Sequence, residues 1–430
     1  MLDTNVIQSR GCSAVTLADG RPGLQFKVRN PNYRGIQASL LIGVDVWING
    51  NKYPREVVLV TLQDKVYSHN ELQTTVTGRW QLDEMATITV PLEKAATAGV
   101  YQVDVTINIR RPYIPVPYCD SPFSSSAKLV VLPNHAISGP QLGVSTYSFT
   151  NDIYTLMSLE DVMADIADMQ ATGIEMLSEG NIQNYPNPSK EWQNNWFALL
   201  DKYQLKPTNL GTWVDTKMWS HRDLTAEEGA QQIMQDLRIA KQLGFSSIRP
   251  KFGVISLDLI PHPIWKEAVT RSLDLAEQLG IVICPEIHSP TPIKHPVTQD
   301  YIKFIEDTKT DYFKLIIDTG IFQTTPVDLN FDHQKLQEGE MRPPFLEPLA
   351  APVEDLREII QHVHFIQSKF FEVDDQLNDL HVPWESIIKV LKEENWNGWL
   401  SSEYEGLRQP YLAKDQVRRQ HALLRTLLAK

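Results

Sequence analysis

Two periodicities divide the chain. Up to about residue 133 apolar side chains recur at every second position, as in Leu24-Gln25-Phe26-Lys27-Val28, Ala86-Thr87-Ile88-Thr89-Val90 and Val103-Asp104-Val105-Thr106-Ile107-Asn108-Ile109. A period of two sends alternate side chains to one face and predicts half-buried strands. Asn49-Gly50-Asn51 is a short turn of the kind that joins antiparallel neighbours. Together these patterns predict an all-β sandwich over residues 1–133. Within it, Pro112-Tyr113-Ile114-Pro115-Val116-Pro117-Tyr118 lacks the N–H groups a central strand needs and is expected to be extended and exposed. Ser121 to Ser126 reads as turn-rich, and Lys128 to Leu132 as the last strand.

After a linker over 134–140, apolar runs alternate with helical patterns. The runs are Leu142 to Ser148, Ile174 to Leu177, Thr208 to Leu210, Ser247 to Arg249, Ile281 to Cys284, Phe313 to Ile317, Phe365 to Gln367 and Trp399 to Ser401. Ser158, followed three positions on by Asp161, opens a helix with Leu159, Val162, Ile166 and Met169 on one face. Thr225 and Glu228 form a capping box for another, which stops at Gly244. Eight βα units over 141–430 predict a (β/α)8 TIM barrel. An open doubly wound sheet would more often carry a glycine-rich phosphate turn, and none is present. The expected fold is therefore multidomain, an all-β sandwich followed by an α/β barrel.

A length of 430 residues suits two such domains, and 42% hydrophobic with 22% charged residues is ordinary for a globular chain. A net charge of −13 argues against nucleic acid as a partner and leaves small molecules as the expected ligands. The cysteines Cys12, Cys119 and Cys284 show no paired spacing, which points to a reducing, cytoplasmic setting. The start, Met1-Leu2-Asp3-Thr4-Asn5, has no signal-peptide pattern, and no apolar run reaches the ~18 residues of a membrane span. Export and membrane insertion are thus not expected, and a homo-oligomer is the expected assembly.

A parallel barrel gathers its strand ends on one face, so residues distant in sequence can meet there. Glu286, Asp318, Gln367 and Glu403 each end an apolar run and together offer three carboxylates and an amide oxygen. Such hard donors favour Mn²⁺, with Mg²⁺ second, over zinc. Any one of them alone reads better as a helix cap or an ion pair; four from successive strand ends read as a metal site. His288 follows Glu286 by two and shares its direction, which suits proton transfer, with a loop histidine bonded to a neighbouring carboxylate as the other reading of the spacing. Lys369 stands in the same relation to Gln367 and could steady an oxyanion. Arg249 and Glu179, at or just past strand ends, are candidates for holding substrate, with a structural ion pair as the other reading. Trp213 could form a wall against a ring or belong to the core. His364 is the alternative to Gln367 as a ligand.

The barrel half resembles the xylose-isomerase-like superfamily of sugar isomerases and epimerases, above all in Gly398-Trp399-Leu400-Ser401-Ser402-Glu403-Tyr404-Glu405-Gly406. The resemblance implies ligand roles for Glu286, Asp318 and Glu403, and for Gln367 where the usual residue is histidine. Ile321 stands where many sugar epimerases have a histidine three residues after the aspartate, which weakens ordinary ketose epimerisation. The first half, in Asn32-Tyr33-Arg34-Gly35-Ile36, Asn49-Gly50 through Tyr53-Pro54-Arg55-Glu56, and Tyr113 to Tyr118, resembles the small β subunit of bacterial C-glycoside deglycosidases. That subunit partners a separate metal-dependent barrel, so the resemblance implies that both are fused here. It further implies a lyase acting on 3-oxo-glycosides, C-linked or O-linked. The C2 proton is removed and the aglycone eliminated, with His288 and Lys369 moving protons. A sugar isomerase or epimerase, and a non-catalytic carbohydrate-binding protein, are the competing readings.

Overall fold

The computed structural model describes residues 2–328 and 347–429. They form two compact units, one of Met1–His135 with Asp375–Leu377, the other of Ala136–Asp374 with Asn378–Lys430.

Besides a short two-stranded pair, Ile36–Gln37 with Arg79–Trp80, the first unit holds two main antiparallel sheets. One orders Ile7–Thr16, Pro22–Arg29, Met85–Pro91, Leu59–Leu62 and Lys65–Tyr67, and the other Asp120–Val131, Gly99–Arg110, Leu41–Ile48 and Asn51–Tyr53. The alternating apolar positions Leu24, Phe26, Val28, Ile88, Val103, Val105 and Ile107 all enter one buried core. Asn49 and Gly50 both take positive φ in the tight turn between Leu41–Ile48 and Asn51–Tyr53, where glycine and asparagine are the least strained residues. Two expectations fail. Residues 112–118 remain exposed at Tyr113, Val116 and Tyr118, but they fold back on themselves through Ile114 N–H to Arg111 O and Tyr118 N–H to Pro115 O. Proline presets the φ that a turn needs, so this run turns rather than extends. Ser121 to Ser126 is strand, paired residue by residue with Ile109 to Asp104, because Gly99–Arg110 offers it a full ladder of partners.

In the second unit eight parallel strands close into a barrel. Neighbouring strands run Ser247–Phe252, Lys206–Val214, Gly173–Leu177, Gln141–Ser145, Trp399–Tyr404, Val363–Phe370 and Leu315–Asp318, with the fifth strand in chain order closing the ring. That fifth strand is broken. Val282–Ile283 pairs with Ser247 and Ile248, whereas Glu286–Ile287 pairs with Ile316 and Ile317. Pro285 has no N–H to give, but its carbonyl accepts from Ile316 N–H, and Lys314 N–H donates to Ile283, so the seam stays joined. The capping boxes at Ser158/Asp161 and Thr225/Glu228 are both formed, and Gly244 ends its helix in the left-handed region. Among the described residues no helix is long and apolar enough to cross a membrane.

Candidate active site

Strand register sets which side chains face the barrel mouth. Asp318 lies beside Gln367, Gln367 beside Ser401, and Lys369 beside Glu403. Since side chains alternate, Gln367 and Lys369 point inward together with Ser401 and Glu403. His364 has the opposite parity to Gln367 and falls at the start of the strand, so it cannot replace Gln367 as a ligand.

The structure brings together Glu286, His288 and Asp318, whose donor atoms all lie within 4.8 Å of one another. Glu286 and Asp318 are sequence-derived ligands and His288 joins them, while Gln367, the register neighbour of Asp318, and Glu403, the register neighbour of Lys369, line the same mouth. Asp318 is fully buried; its Oδ1 accepts from Gly320 N–H at 2.7 Å, and its Oδ2 lies 3.5 Å from His288 Nε2. His288 Nδ1 contacts the Ser289 carbonyl, a geometry that places the ring proton on Nδ1 and leaves the Nε2 lone pair facing the cluster. Burial and the nearby Lys369 charge push the imidazole down to about 4, so it is neutral near pH 7. Burial alone would raise Glu286, but Arg249, Lys251 and His288 outweigh it and hold the carboxyl at about 2. Burial pushes Glu403 well above the usual carboxylate range, against the opposing pull of Lys369.

Two carboxylates and a neutral imidazole nitrogen suit a divalent ion. Gln367 Oε1 adds an oxygen that is buried without a hydrogen-bond partner among the described residues. The donor set therefore fits the metal that the resemblance implies.

Glu175 is the residue that sequence reasoning passed over. It is fully buried on the second strand, accepting from Asn209 Nδ2 at 2.9 Å, Gln367 Nε2 at 2.9 Å and Ser401 Oγ at 2.8 Å. Its grip on the amide nitrogen turns the Gln367 oxygen the other way. We expect Glu175→Gln to relax that orientation and weaken Mn²⁺ binding by roughly 10–100-fold, read by calorimetry. Unaltered affinity would remove Glu175 from the support of the site.

Arg249 is buried, with Nη1 3.6 Å from Glu286 and its guanidinium 5.9 Å from the centre of the Trp213 ring. Gly211, its neighbour in register, leaves it room, since a Cβ there would come within 3.0 Å of Arg249 Nη2. Trp213 and Glu179 line a cavity of about 200 Å³ with Tyr185, Met218, Gln232 and Asp236. Asp236 accepts from the Tyr185 hydroxyl, while its Oδ2 is buried with no hydrogen-bond partner among the described residues.

Burial raises the Asp236 carboxyl to about 7 from an ordinary 3.8. The folded chain thus binds this proton more tightly than the unfolded one. Its contribution to stability is fully present at and below about pH 4 and is lost as pH rises through about 7. Asp236→Asn should therefore melt above the parent by a margin that grows across that window and then levels, on the order of 4 kcal/mol. A margin independent of pH would contradict this account.

Residues 163–427 match the model of the xylose isomerase-like TIM barrel family, and residues 2–113 that of the C-glycoside deglycosidase beta subunit. Among curated proteins, the C-glycoside deglycosidase alpha subunit of Arthrobacter globiformis is 23% identical over 67% of this chain and 92% of its own length. The 3'-dehydrocarminate deglycosidase alpha subunit of a Microbacterium species is 22% identical over 69% and 97%. The C-glycoside deglycosidase beta subunit of Arthrobacter globiformis is 30% identical over 22% of this chain and 72% of its own length. Alpha- and beta-subunit likenesses thus fall on successive stretches of a single chain. The chain belongs to the xylose isomerase-like TIM barrel family, and its first domain is that of the C-glycoside deglycosidase beta subunits.

Proposed function

We propose that the chain is a metal-dependent lyase that releases the aglycone from 3-oxo-C-glycosides, supplying in one polypeptide what its relatives divide between two subunits. The observation that carries this reading is the convergence of the part-buried Glu286 and His288 with the fully buried Asp318 in a charge-lined barrel mouth. The similarity to deglycosidase subunits in both halves supports the substrate class.

In this reading Glu286, His288 and Asp318 hold a divalent ion, with Mn²⁺ as the cation of choice, and Gln367 and Glu403 stand beside them. Such an ion would polarise the 3-oxo oxygen, making the C2 proton acidic and stabilising the enediolate. Arg249 balances the Glu286 charge and offers its remaining donors to substrate oxygens. Glu403 and Lys369 are the buried ionisable groups left for proton movement. Burial raises the Glu403 carboxyl, which makes its ionised form a stronger base. It takes the C2 proton and, once protonated, gives that proton to the departing aryl carbon, so one group serves both half-steps. Lys369 steadies the negative oxygen. The cavity beside Trp213 receives the aromatic aglycone, with Asp236 and Gln232 as acceptors for its hydroxyls.

Incubation of the purified protein and Mn²⁺ with a 3-oxo-C-glucoside tests the proposal by chromatography. Released aglycone supports it. A rearranged sugar with the aglycone still attached favours an epimerase, and binding without turnover favours a carbohydrate-binding protein.

A further inference from the structure

Lys369 is 1% exposed, and its Nζ lies 2.6 Å from Asp318 Oδ2, 2.7 Å from His288 Nε2 and 3.3 Å from Glu405 Oε1. Its stem runs past Gly320, where a Cβ would approach both Lys369 Cδ and Asp318 Oδ1 to 2.9 Å, so the side chain is threaded through a gap that only glycine leaves open. Two of its contacts are atoms of the metal cluster itself. A divalent ion ligated by Asp318 and His288 would stand about 2.1 Å from each. Given the 3.5 Å between those atoms, every such position falls within about 3 Å of Nζ. An ammonium and a dication cannot share that space without strong repulsion.

We propose that Lys369 is a built-in counter-cation: it occupies the cluster when no metal is bound and moves onto Glu405 as the ion enters. Glu405 is suited to receive it, because its Oε2 is buried without a hydrogen-bond partner among the described residues. The lysine keeps the buried carboxylates neutralised in the ion-free protein and sets how tightly the metal is held. This rests on the metal reading above.

Calorimetric titration with Mn²⁺ separates the two ideas. Lys369→Met removes the competitor while filling similar space, and is expected to bind Mn²⁺ at least tenfold more tightly than the parent. Glu405→Gln keeps the lysine but weakens its alternative partner, and is expected to bind roughly tenfold more weakly; it covers the case in which Lys369→Met does not fold. If the variants that fold bind with the parent's affinity, or if Lys369→Met binds more weakly, the exchange is overturned and the metal site stands. Absence of Mn²⁺ uptake in parent and variants alike overturns both.

Discussion

Glu286→Gln is expected to lose Mn²⁺ binding by at least about 100-fold and aglycone release with it. The side chain keeps its size, and the loss is one of charge. Glu286 is the cluster carboxylate held ionised most firmly, at about 2, by Arg249, Lys251 and His288 against the cost of burial. An amide in its place presents a neutral oxygen and leaves Arg249 facing no anion at 3.6 Å. Metal content and turnover should therefore fall together. Metal content equal to the parent's would sink the cluster as the metal site, whatever happened to turnover.

His288→Asn should lower Mn²⁺ affinity by roughly tenfold or more and lower turnover in step. Its Nε2 is the third donor of the cluster, and Asn cannot place a nitrogen lone pair there. From the sequence, His288 reads as a proton carrier, a role that predicts intact affinity with lost turnover. The two roles make opposite predictions for affinity, so one titration separates them, and retained affinity would return His288 to proton transfer.

Much of the barrel was legible because most of its strands are short apolar-rich runs and several of its helices carry Ser, Thr or Gly at their ends. Asp318 and Glu286 were legible as acids ending such runs. What could not be read was distance. Glu175 looks like any acid between Ile174 and Met176; its meaning comes from partners 34, 192 and 226 positions away, which only barrel closure brings near. Asp236 is likewise one polar residue in an amphipathic helix until Tyr185 folds over it. The split between His288 and Glu403 depends on differences of a few ångströms within one mouth. Residues 112–118 and 121–126 show the same limit at short range, since prolines can extend a chain or turn it, and serines become a strand when a long neighbour offers its edge.

The break at Cys284-Pro285 leaves Glu286 and His288 on a two-residue strand piece and the loop after it, tied by the ladder to Leu315–Asp318 alone. Asp318 ends that same neighbour. Ion binding by these residues would therefore add a cross-link across the last joint of the ring, beside the few backbone bonds that close it. If the site is loaded as proposed, shutting the barrel and loading it would become a single linked equilibrium: a change that loosens the joint would let the ion go, and a filled site would shield the joint from opening.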